Sequence, residues 1–339
     1  MSVSSRVRNR RRIKDALPSI ASVAVALLVL FPLFWVVRRA VVVDGAVELL
    51  FRAENFRVFG NTVILVVVVT FVSIAVSVPL AYVTTFTDVP FRRALTVLVA
   101  LPLVVPSYIG AFGFVTAFGP RGEVQSVLEP YGVESIPEIY GLSGAALVIT
   151  LYTYPYVFIT TRAALRSVNP SVVEAARTLN TERGSVFRNV VLPQVKPAIG
   201  AGALLVALYA LSDFGTPSIM RFDVYTRVIY VEHNTWSPDS AALLSLQLVA
   251  LAAVILFAES ALRGRTETRG SGVSGDGESV VELGRWRAPA VVACLFLPLL
   301  ALAVPVGVLF LWVIRGEASY ASGGGFDIGL VYDSVYVAG

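Results

Sequence analysis

Two short groups of residues have the types and the spacing that best suggest a specific task. They are Glu174, Ala175 and Ala176, and the run Val190–Pro193, and they lie in a basic loop between two long apolar segments. The two alanines are small enough to let another protein approach closely, and the Glu174 carboxylate can bond a basic side chain or a backbone amide of that protein. The predicted chemistry is therefore docking of a partner on one side of a membrane.

Local signals predict two short helices within this loop. Asn169 can cap the free amides at the start of the first helix. Asn180 is a suitable left-handed terminator for it. A second short helix is predicted over about 181–190, ending at Leu192 and Pro193. A rigid unit of helix, turn and helix can fit a cleft in a partner and transmit force to the segments on either side.

The elements that must position this loop are predicted to be membrane spans. The chain is 56% hydrophobic and 15% charged, whereas soluble domains are about half apolar and about a quarter charged. Its apolar runs are long enough to cross a bilayer as helices, which satisfy their own backbone groups in lipid. We predict an all-α polytopic membrane protein with spans at about 17–37, 58–85, 94–118, 141–161, 198–220, 239–262 and 288–314, and with room for an eighth from about 329.

The positions of Lys and Arg predict the topology. With a cytoplasmic N-terminus, most of the 27 basic residues fall on the inside, before the first span, around the Glu174 loop and after the sixth span. The outer loop 119–140 is instead acidic. We therefore expect a multi-pass protein of the cell membrane. The basic residues are spread over separate loops, which argues against nucleic acid as a partner.

A change of composition at 264–287 predicts a flexible linker rich in Gly, Ser and charge. It separates a first block, 1–263, from a new start at 288–339. The new start repeats the order of the first: a basic entry, an apolar helix, an outer loop and a small polar pair, Asn61-Thr62 in one case and Asp333-Ser334 in the other. This order predicts an internal repeat. It also predicts either a natural protein that continues through a second block or a disrupted remnant of one.

The spacing within 169–197 resembles the coupling loop of ABC importer permeases, the binding-protein-dependent transport family. That family usually has Gly where this chain has Asn180, and Ile where it has Val190. Asn tolerates positive φ better than most residues, so we expect the turn to survive. The resemblance implies that a cytoplasmic ATP-binding subunit receives the loop, through Glu174, Ala175, Ala176, Asn180, Leu192 and Pro193.

Other segments are similar to narrower groups within this family. The run Leu101–Pro106 resembles the third-helix pattern of the permeases. The run Ala210–Pro217, followed by Thr226–Tyr230, resembles permeases for ferric iron and, less closely, those for thiamine, polyamines and phosphonates. The iron permeases carry two fused halves. The resemblance thus implies a six-helix permease block plus the start of a second block, an ATPase dimer that binds the ATP, and an extracytoplasmic protein that delivers the solute. It implies no cofactor in this chain.

Asp213 is the residue with the clearest reason to line a solute pathway. An acidic group near the outer end of a membrane helix is costly and often lines an aqueous path, and Tyr209 and Ser212 are its neighbours. The alternative is a structural cap where the helix breaks at Gly215 and Pro217. A second patch near the centre of the fourth span is aromatic and kinked, and it is interpreted as packing in preference to gating. It consists of Tyr152, Tyr154, Pro155 and Tyr156.

Several function classes find little support. The chain has one Cys and one His, which excludes a disulfide framework and a histidine-based metal cluster. A membrane-embedded enzyme needs a catalytic set, and neither a phosphate loop with Lys nor a His-Glu-x-x-His or Gly-x-Ser-x-Gly motif is present. A secondary transporter driven by an ion gradient needs ionisable residues in mid-membrane, where Asp213 is nearly alone, and it leaves the loop unexplained.

Overall fold

A computed structural model describes residues 22–40, 48, 52–120, 122–133, 137–168, 183–235, 238–263 and 281–315. Over these ranges the regular elements are helices, together with an isolated β-bridge between Thr87 and Val281. The first helices are α1 Ser22–Ala40, α2 Ala53–Phe86, α3 Arg92–Ala100, α4 Ser107–Phe118, α5 Glu123–Leu128 and α6 Gly141–Arg166. Then follow α7 Arg183–Val186, α8 Leu192–Ser212, α9 Gly215–Ile219, α10 Tyr225–Asn234, α11 Pro238–Arg263 and α12 Arg287–Arg315.

Within the described ranges, six helical segments are long and apolar enough to cross a membrane, or seven if one bent pair counts as a span. This confirms the predicted all-α polytopic fold. The predicted spans at 17–37, 58–85, 141–161, 239–262 and 288–314 correspond to α1, α2, α6, α11 and α12. Large apolar side chains stay exposed along α1 and α12, among them Leu28 and Val313. Such surfaces are compatible with lipid and not with water.

The span predicted at 94–118 is wrong as a single straight helix. After α3 the chain continues as a 3-10 turn, Leu101–Val104, and Val105 is extended, with ψ at 125°. Helix α4 then begins at Ser107, and the segments Arg92–Val104 and Ser107–Tyr131 are bent by 89° relative to each other. The prolines are the cause: Pro102 removes a backbone donor, and Pro106 disfavours helical geometry at the residue before it.

The region predicted as a helix ending at Leu192-Pro193, followed by a span at 198–220, is also different. Helix α7 passes through a π-helical turn, Phe187–Val191, directly into α8. Pro193 lies in the first turn of α8, directly after the π-helical turn. Helix α8 then ends at Ser212 rather than continuing to 220, because Asp213 is extended, with ψ at 117°.

The described residues divide into two compact units: 1–60 with 224–254, and 61–223 with 255–339. In the smaller unit, Val58, Tyr225 and Leu244 are buried together. The Tyr225 hydroxyl donates to Gln247 Oε1 at 3.3 Å. Burial raises the pKa of this phenol above its ordinary value.

Helix α6 is central in the larger unit. Its most apolar stretch is 72% buried, against 28% for α12. Small residues allow α8 to lie close to it: a Cβ atom on Gly202 would be 2.6 Å from the Cα atom of Val157. The core here contains Leu80, Val99, Tyr154, Phe158, Leu165, Val191 and Cys294. The contribution of Cys294 to this core shows that α12 packs within the same unit as the helices that precede residue 223.

The predicted linker 264–287 is described only from residue 281 onward. Residues 281–283 contact the turn between α2 and α3, and Gly284–Trp286 form a 3-10 turn that leads into α12. Asn61 belongs to the first copy of the predicted repeat, and its side-chain amide donates to the carbonyl oxygen of Asp223 at 2.9 Å. Its expected counterpart at 333–334 lies outside the described residues.

Candidate functional site

Three polar side chains meet where two helical segments are interrupted, one between α3 and α4 and the other between α8 and α9. Ser107, the first residue of α4, is 2% exposed. Its hydroxyl donates to Asp213 Oδ2 at 2.8 Å, and the Tyr209 hydroxyl donates to the Ser107 oxygen at 3.0 Å. Tyr209 and Asp213, predicted as neighbours on the pathway, are thus joined through a residue more than 100 positions earlier. We call Ser107, Tyr209 and Asp213 the polar cluster.

Helix breaks bring these groups together. The break at Val105 and Pro106 places Ser107 at a helix start, and the end of α8 places Asp213 just beyond its last turn. The two broken segments also touch directly, since a Cβ atom on Gly215 would lie 2.6 Å from the Cβ atom of Tyr108. Only glycine permits this approach without displacing Tyr108.

Asp213 also acts as a helix cap. Its Oδ1 accepts a hydrogen bond from the backbone amide of Thr216 at 3.2 Å, at the start of α9. A carboxylate in this position satisfies an amide that has no partner within the helix. One oxygen therefore serves the cap and the other serves Ser107. The cap, one of the two alternatives predicted for Asp213, is therefore present, and the lining of a solute pathway stays a prediction.

The third residue predicted for the pathway has a different environment. Ser212 is exposed, and its hydroxyl donates to the Tyr209 carbonyl of its own helix at 3.1 Å. Ser107 was missed by the sequence interpretation. The available signal was its position directly after Pro106.

The tyrosines of α6 are mainly structural, as the packing interpretation expects. Tyr154 is fully buried and donates to the Val99 carbonyl oxygen at 2.8 Å. In a 3-10 turn that carbonyl would receive the amide of residue 102, which Pro102 lacks. Tyr156 is only half-buried, with its ring centre 6.3 Å from that of Tyr209. It therefore borders the polar cluster.

Most of the predicted coupling loop lies outside the described residues, including Glu174, Ala175, Ala176 and Asn180. Leu192 and Pro193 are described and open α8. Leu192 is half-buried and Pro193 is exposed, whereas Val191 and Val195 on either side are buried in the core. The Val190–Pro193 run is thus anchored by Val191 and exposes Pro193.

The described part of the chain contains no group of three or more His, Cys, Asp or Glu residues arranged to hold a metal ion. The polar cluster consists of one carboxylate and two hydroxyls joined by hydrogen bonds. The carboxylate supplies a charge that attracts cations and repels anions.

The fold defines the class as a multi-span helical membrane protein whose interrupted helices meet at polar groups. A family model described as "Binding-protein-dependent transport system inner membrane component" matches residues 77–261, which is more than half of the chain. The chain belongs to this family, which confirms the resemblance found in its motifs. The matched range includes the predicted coupling loop and the polar cluster.

Curated relatives transport different solutes. The Fe(3+)-transport system permease protein FbpB 2 of Haemophilus influenzae is 28% identical over 306 residues, covering 89% of this chain and 57% of that protein. The molybdenum transport system permease protein ModB of Mycobacterium tuberculosis is 31% identical over 196 residues, covering 56% of this chain and 72% of that protein. The sulfate transport system permease protein CysT of Salmonella typhimurium is 26% identical over 192 residues, covering 55% of this chain and 68% of that protein. This chain spans little more than half the length of the Haemophilus relative.

Solved structures share the fold. A chain of a bacterial ABC transporter involved in the import of the acidic polysaccharide alginate superposes with a TM-score of 0.57 at 18% identity, covering 77% of this chain and all of that one. A second alginate transporter structure, in complex with a pentasaccharide-bound periplasmic protein, gives 0.58 at 19% identity, with coverage of 78% and 99%. At these identities the likeness concerns the fold.

Proposed function

We propose that this chain is the membrane-spanning permease subunit of an ATP-driven importer. It receives a solute from an extracytoplasmic binding protein and releases it into the cytoplasm. The observation that carries this proposal is the family match over 77–261, because that range includes both the predicted coupling loop and the polar cluster. Interrupted helices form the central sites of many secondary transporters, and the polar cluster lies at comparable helix breaks.

The proposal assigns the energy source to another subunit. A cytoplasmic ATPase, acting as a dimer, binds ATP and receives the coupling loop at Glu174, Ala175, Ala176, Asn180, Leu192 and Pro193. The proposed orientation places the N-terminus in the cytoplasm and follows from the distribution of Lys and Arg. Exposure of Pro193 beside the buried Val191 suits a surface that contacts a partner.

Ferric iron is the proposed solute, supported by the motif at 210–217 and by the similarity to the Haemophilus ferric permease. The molybdenum and sulfate relatives make oxyanions the competing class. The Asp213 carboxylate favours a cation in the pathway over an oxyanion, since like charges repel strongly where water is scarce. The same argument admits cationic thiamine and polyamines and disfavours phosphonates.

The proposed block organisation divides the chain at 264–287, with 1–263 as the first block and 288–339 as the start of a second. Helix α12 follows this segment in sequence, yet it lies in the same compact unit as α3, α4, α6 and α8. The boundary in sequence therefore does not separate α12 from the first block in space.

Reconstitution tests the function directly. The chain is purified together with an ABC ATPase and a solute-binding protein from the same organism and placed in liposomes. We expect ATP hydrolysis to rise when the loaded binding protein is added, together with accumulation of radioactive Fe(III). Molybdate, sulfate, spermidine and thiamine are tested in parallel. Uptake of an oxyanion without uptake of Fe(III) would overturn the proposal that ferric iron is the solute. The family assignment would remain.

An ion-gradient control separates the transporter classes. Liposomes containing the permease alone are given a proton or sodium gradient without ATP. We expect no accumulation under these conditions. Gradient-driven uptake that does not need the ATPase would overturn the proposal in favour of a secondary transporter.

A further inference from the structure

The turn between α2 and α3 holds the chain where it returns after the predicted linker. The Val281 amide donates to the Phe86 carbonyl oxygen at 2.7 Å, and the Asp88 amide donates to the Val281 carbonyl oxygen at 3.2 Å. These bonds form the isolated bridge between Thr87 and Val281. Residues nearly 200 positions apart thus lie side by side through backbone bonds.

The Asp88 side chain completes this contact. Its Oδ1 accepts the Leu283 amide at 2.8 Å, and its Oδ2 accepts Arg287 Nε at 2.9 Å and also Arg287 Nη2. Asp88 therefore caps, from a different segment, the helical turn that leads into α12, where a negative charge is favourable. We call Asp88, Leu283 and Arg287 the clasp.

The same turn contacts the segment that follows the coupling loop. Phe187, the first residue of the π-helical turn, packs edge-on against Tyr82 with ring centres 4.9 Å apart. Tyr82 in turn lies 5.7 Å from Phe86, whose carbonyl oxygen accepts the Val281 amide. Val89, Val186 and Val191 are buried in the core that these rings border. A continuous series of contacts therefore runs from Phe187 to Arg287.

The clasp adds little to the anchoring of α12, which is held elsewhere. Tyr152 donates to the Ala301 carbonyl oxygen, and Gly113 lies against Pro305. The Arg287 side chain is 56% exposed, and exposed ion pairs contribute little to folding stability. The clasp instead provides a link at the start of α12, which is the end nearest the segment that follows the coupling loop. π-Helical turns such as Phe187–Val191 occur frequently at functional sites.

We propose that Asp88 and Arg287 are positioning residues that make α12 move with the segment following the coupling loop. Displacement of that segment by the ATPase is transmitted through Phe187, Tyr82 and the clasp to the start of α12. This inference rests on the proposed ATP-driven function. It concerns how motion spreads within the permease and does not depend on the solute.

A fluorescent label next to the clasp tests the proposal. Glu282 is exposed and is replaced by Cys, and the native Cys294 is buried in the core, so the label attaches at residue 282. The labelled permease is assembled with its ATPase, and the label's fluorescence is recorded before and after trapping with ATP and vanadate. The variants are Asp88→Ala and Arg287→Gln. Arg285→Gln is the matched control, since Arg285 lies over Trp286 in the same turn.

We expect trapping to change the fluorescence in the unmodified background and in Arg285→Gln. The change should be lost in Asp88→Ala and Arg287→Gln. In these two variants the ATP hydrolysed per solute imported should rise by roughly two- to thirtyfold, the range for changes within a coupled network. An equal response in all variants would overturn the link. Absence of ATPase binding or of hydrolysis in the unmodified complex would instead count against the proposed function. An unchanged melting temperature in all variants excludes a folding defect.

Discussion

The Tyr152 hydroxyl donates a hydrogen bond of 2.6 Å to the carbonyl oxygen of Ala301. In a regular helix that carbonyl would accept the amide of residue 305, which is a proline and has none. A side chain of α6 thus supplies the bond that the α12 backbone lacks. Such a bond is valuable in lipid, where water cannot replace it.

Removal of this hydroxyl should weaken the packing of α12. We expect Tyr152→Phe to lower the free energy of unfolding by about 0.5–2 kcal/mol, the range for an interhelical hydrogen bond in a membrane. Thermal unfolding in detergent measures the effect. Tyr156→Phe is the control, because Tyr156 is half-buried and borders the polar cluster. Equal effects from the two substitutions would contradict the specific role of Tyr152.

Close contact between α4 and α12 gives a second stability prediction. A Cβ atom on Gly113 would lie 2.6 Å from the Cα atom of Pro305, so the backbones must separate to accept it. We expect Gly113→Ala to cost about 1–3 kcal/mol, as overpacked sites do. Gly307→Ala is the matched control, because nothing lies within 4 Å of its added carbon. It should be neutral or stabilise by up to about 1 kcal/mol through helix propensity. A similar loss in both variants would argue against the contact.

Asp213 can be tested for charge and capping separately. Asp213→Asn keeps an oxygen for the Thr216 amide and removes the charge, whereas Asp213→Leu removes both. We expect both variants to lower Fe(III) uptake and to assemble with the ATPase, with the leucine variant also less stable. Ser107→Ala serves as a control for the hydrogen bond alone. Full uptake by Asp213→Asn would show that the charge has no role in the pathway. Failure of Asp213→Leu alone to accumulate in the membrane would favour the cap.

Glu174→Lys reverses the charge on the predicted coupling loop. The loop is predicted to face water before docking, so we expect normal membrane levels together with loss of solute-stimulated ATP hydrolysis. Glu129→Lys makes the same charge change on an exposed residue of the predicted outer loop and should leave hydrolysis unaffected. Unchanged stimulation in Glu174→Lys would sink the assignment of the loop.

The clasp predicts a pH dependence. The hydrogen bond from Arg287 and the Leu283 amide hold the pKa of Asp88 below its ordinary value of 3.8. A lowered carboxyl pKa stabilises the folded contact above that ordinary value, and the stabilisation is lost as pH falls through the lower folded value. Fluorescence of Trp286, in a variant whose other tryptophans are phenylalanine, should therefore change only below about pH 3.8. Arg287→Gln should move the transition upward, and Arg285→Gln should not. An identical transition in all three proteins would contradict the assignment.

The sequence predicted the helices well because length and hydropathy are properties of each segment alone. The two prolines that interrupt this span, Pro102 and Pro106, can be read from the sequence. The bend of 89° that follows from them also depends on the neighbours of α4. The position of Ser107 after Pro106 indicated a helix start and no more, since its role needs Asp213 more than 100 positions away. Such a long-range pairing cannot be deduced from periodicity.

The packing position of α12 could not be predicted from the sequence either. Hydropathy does not distinguish one apolar helix face from another in lipid. Small residues and isolated polar groups decide which helices pack together. Gly113, Tyr152 and Asp88 are three such determinants. Composition predicted a linker ending at 287, whereas hydrogen bonds hold the chain from residue 281 onward.

The π-helical turn Phe187–Val191 fixes an angular phase. Its closing bond runs from the Leu192 amide to the Phe187 carbonyl oxygen, five residues back instead of four. One residue of an α-helix corresponds to a rotation of about 100°. The widened turn accommodates one extra residue, so rewinding it as a regular α-helix with that residue kept would rotate everything before it by about that angle relative to α8. The angular position of the chain before residue 187 around the α8 axis is thus set by the shape of this turn, independently of the sequence of the loop before it.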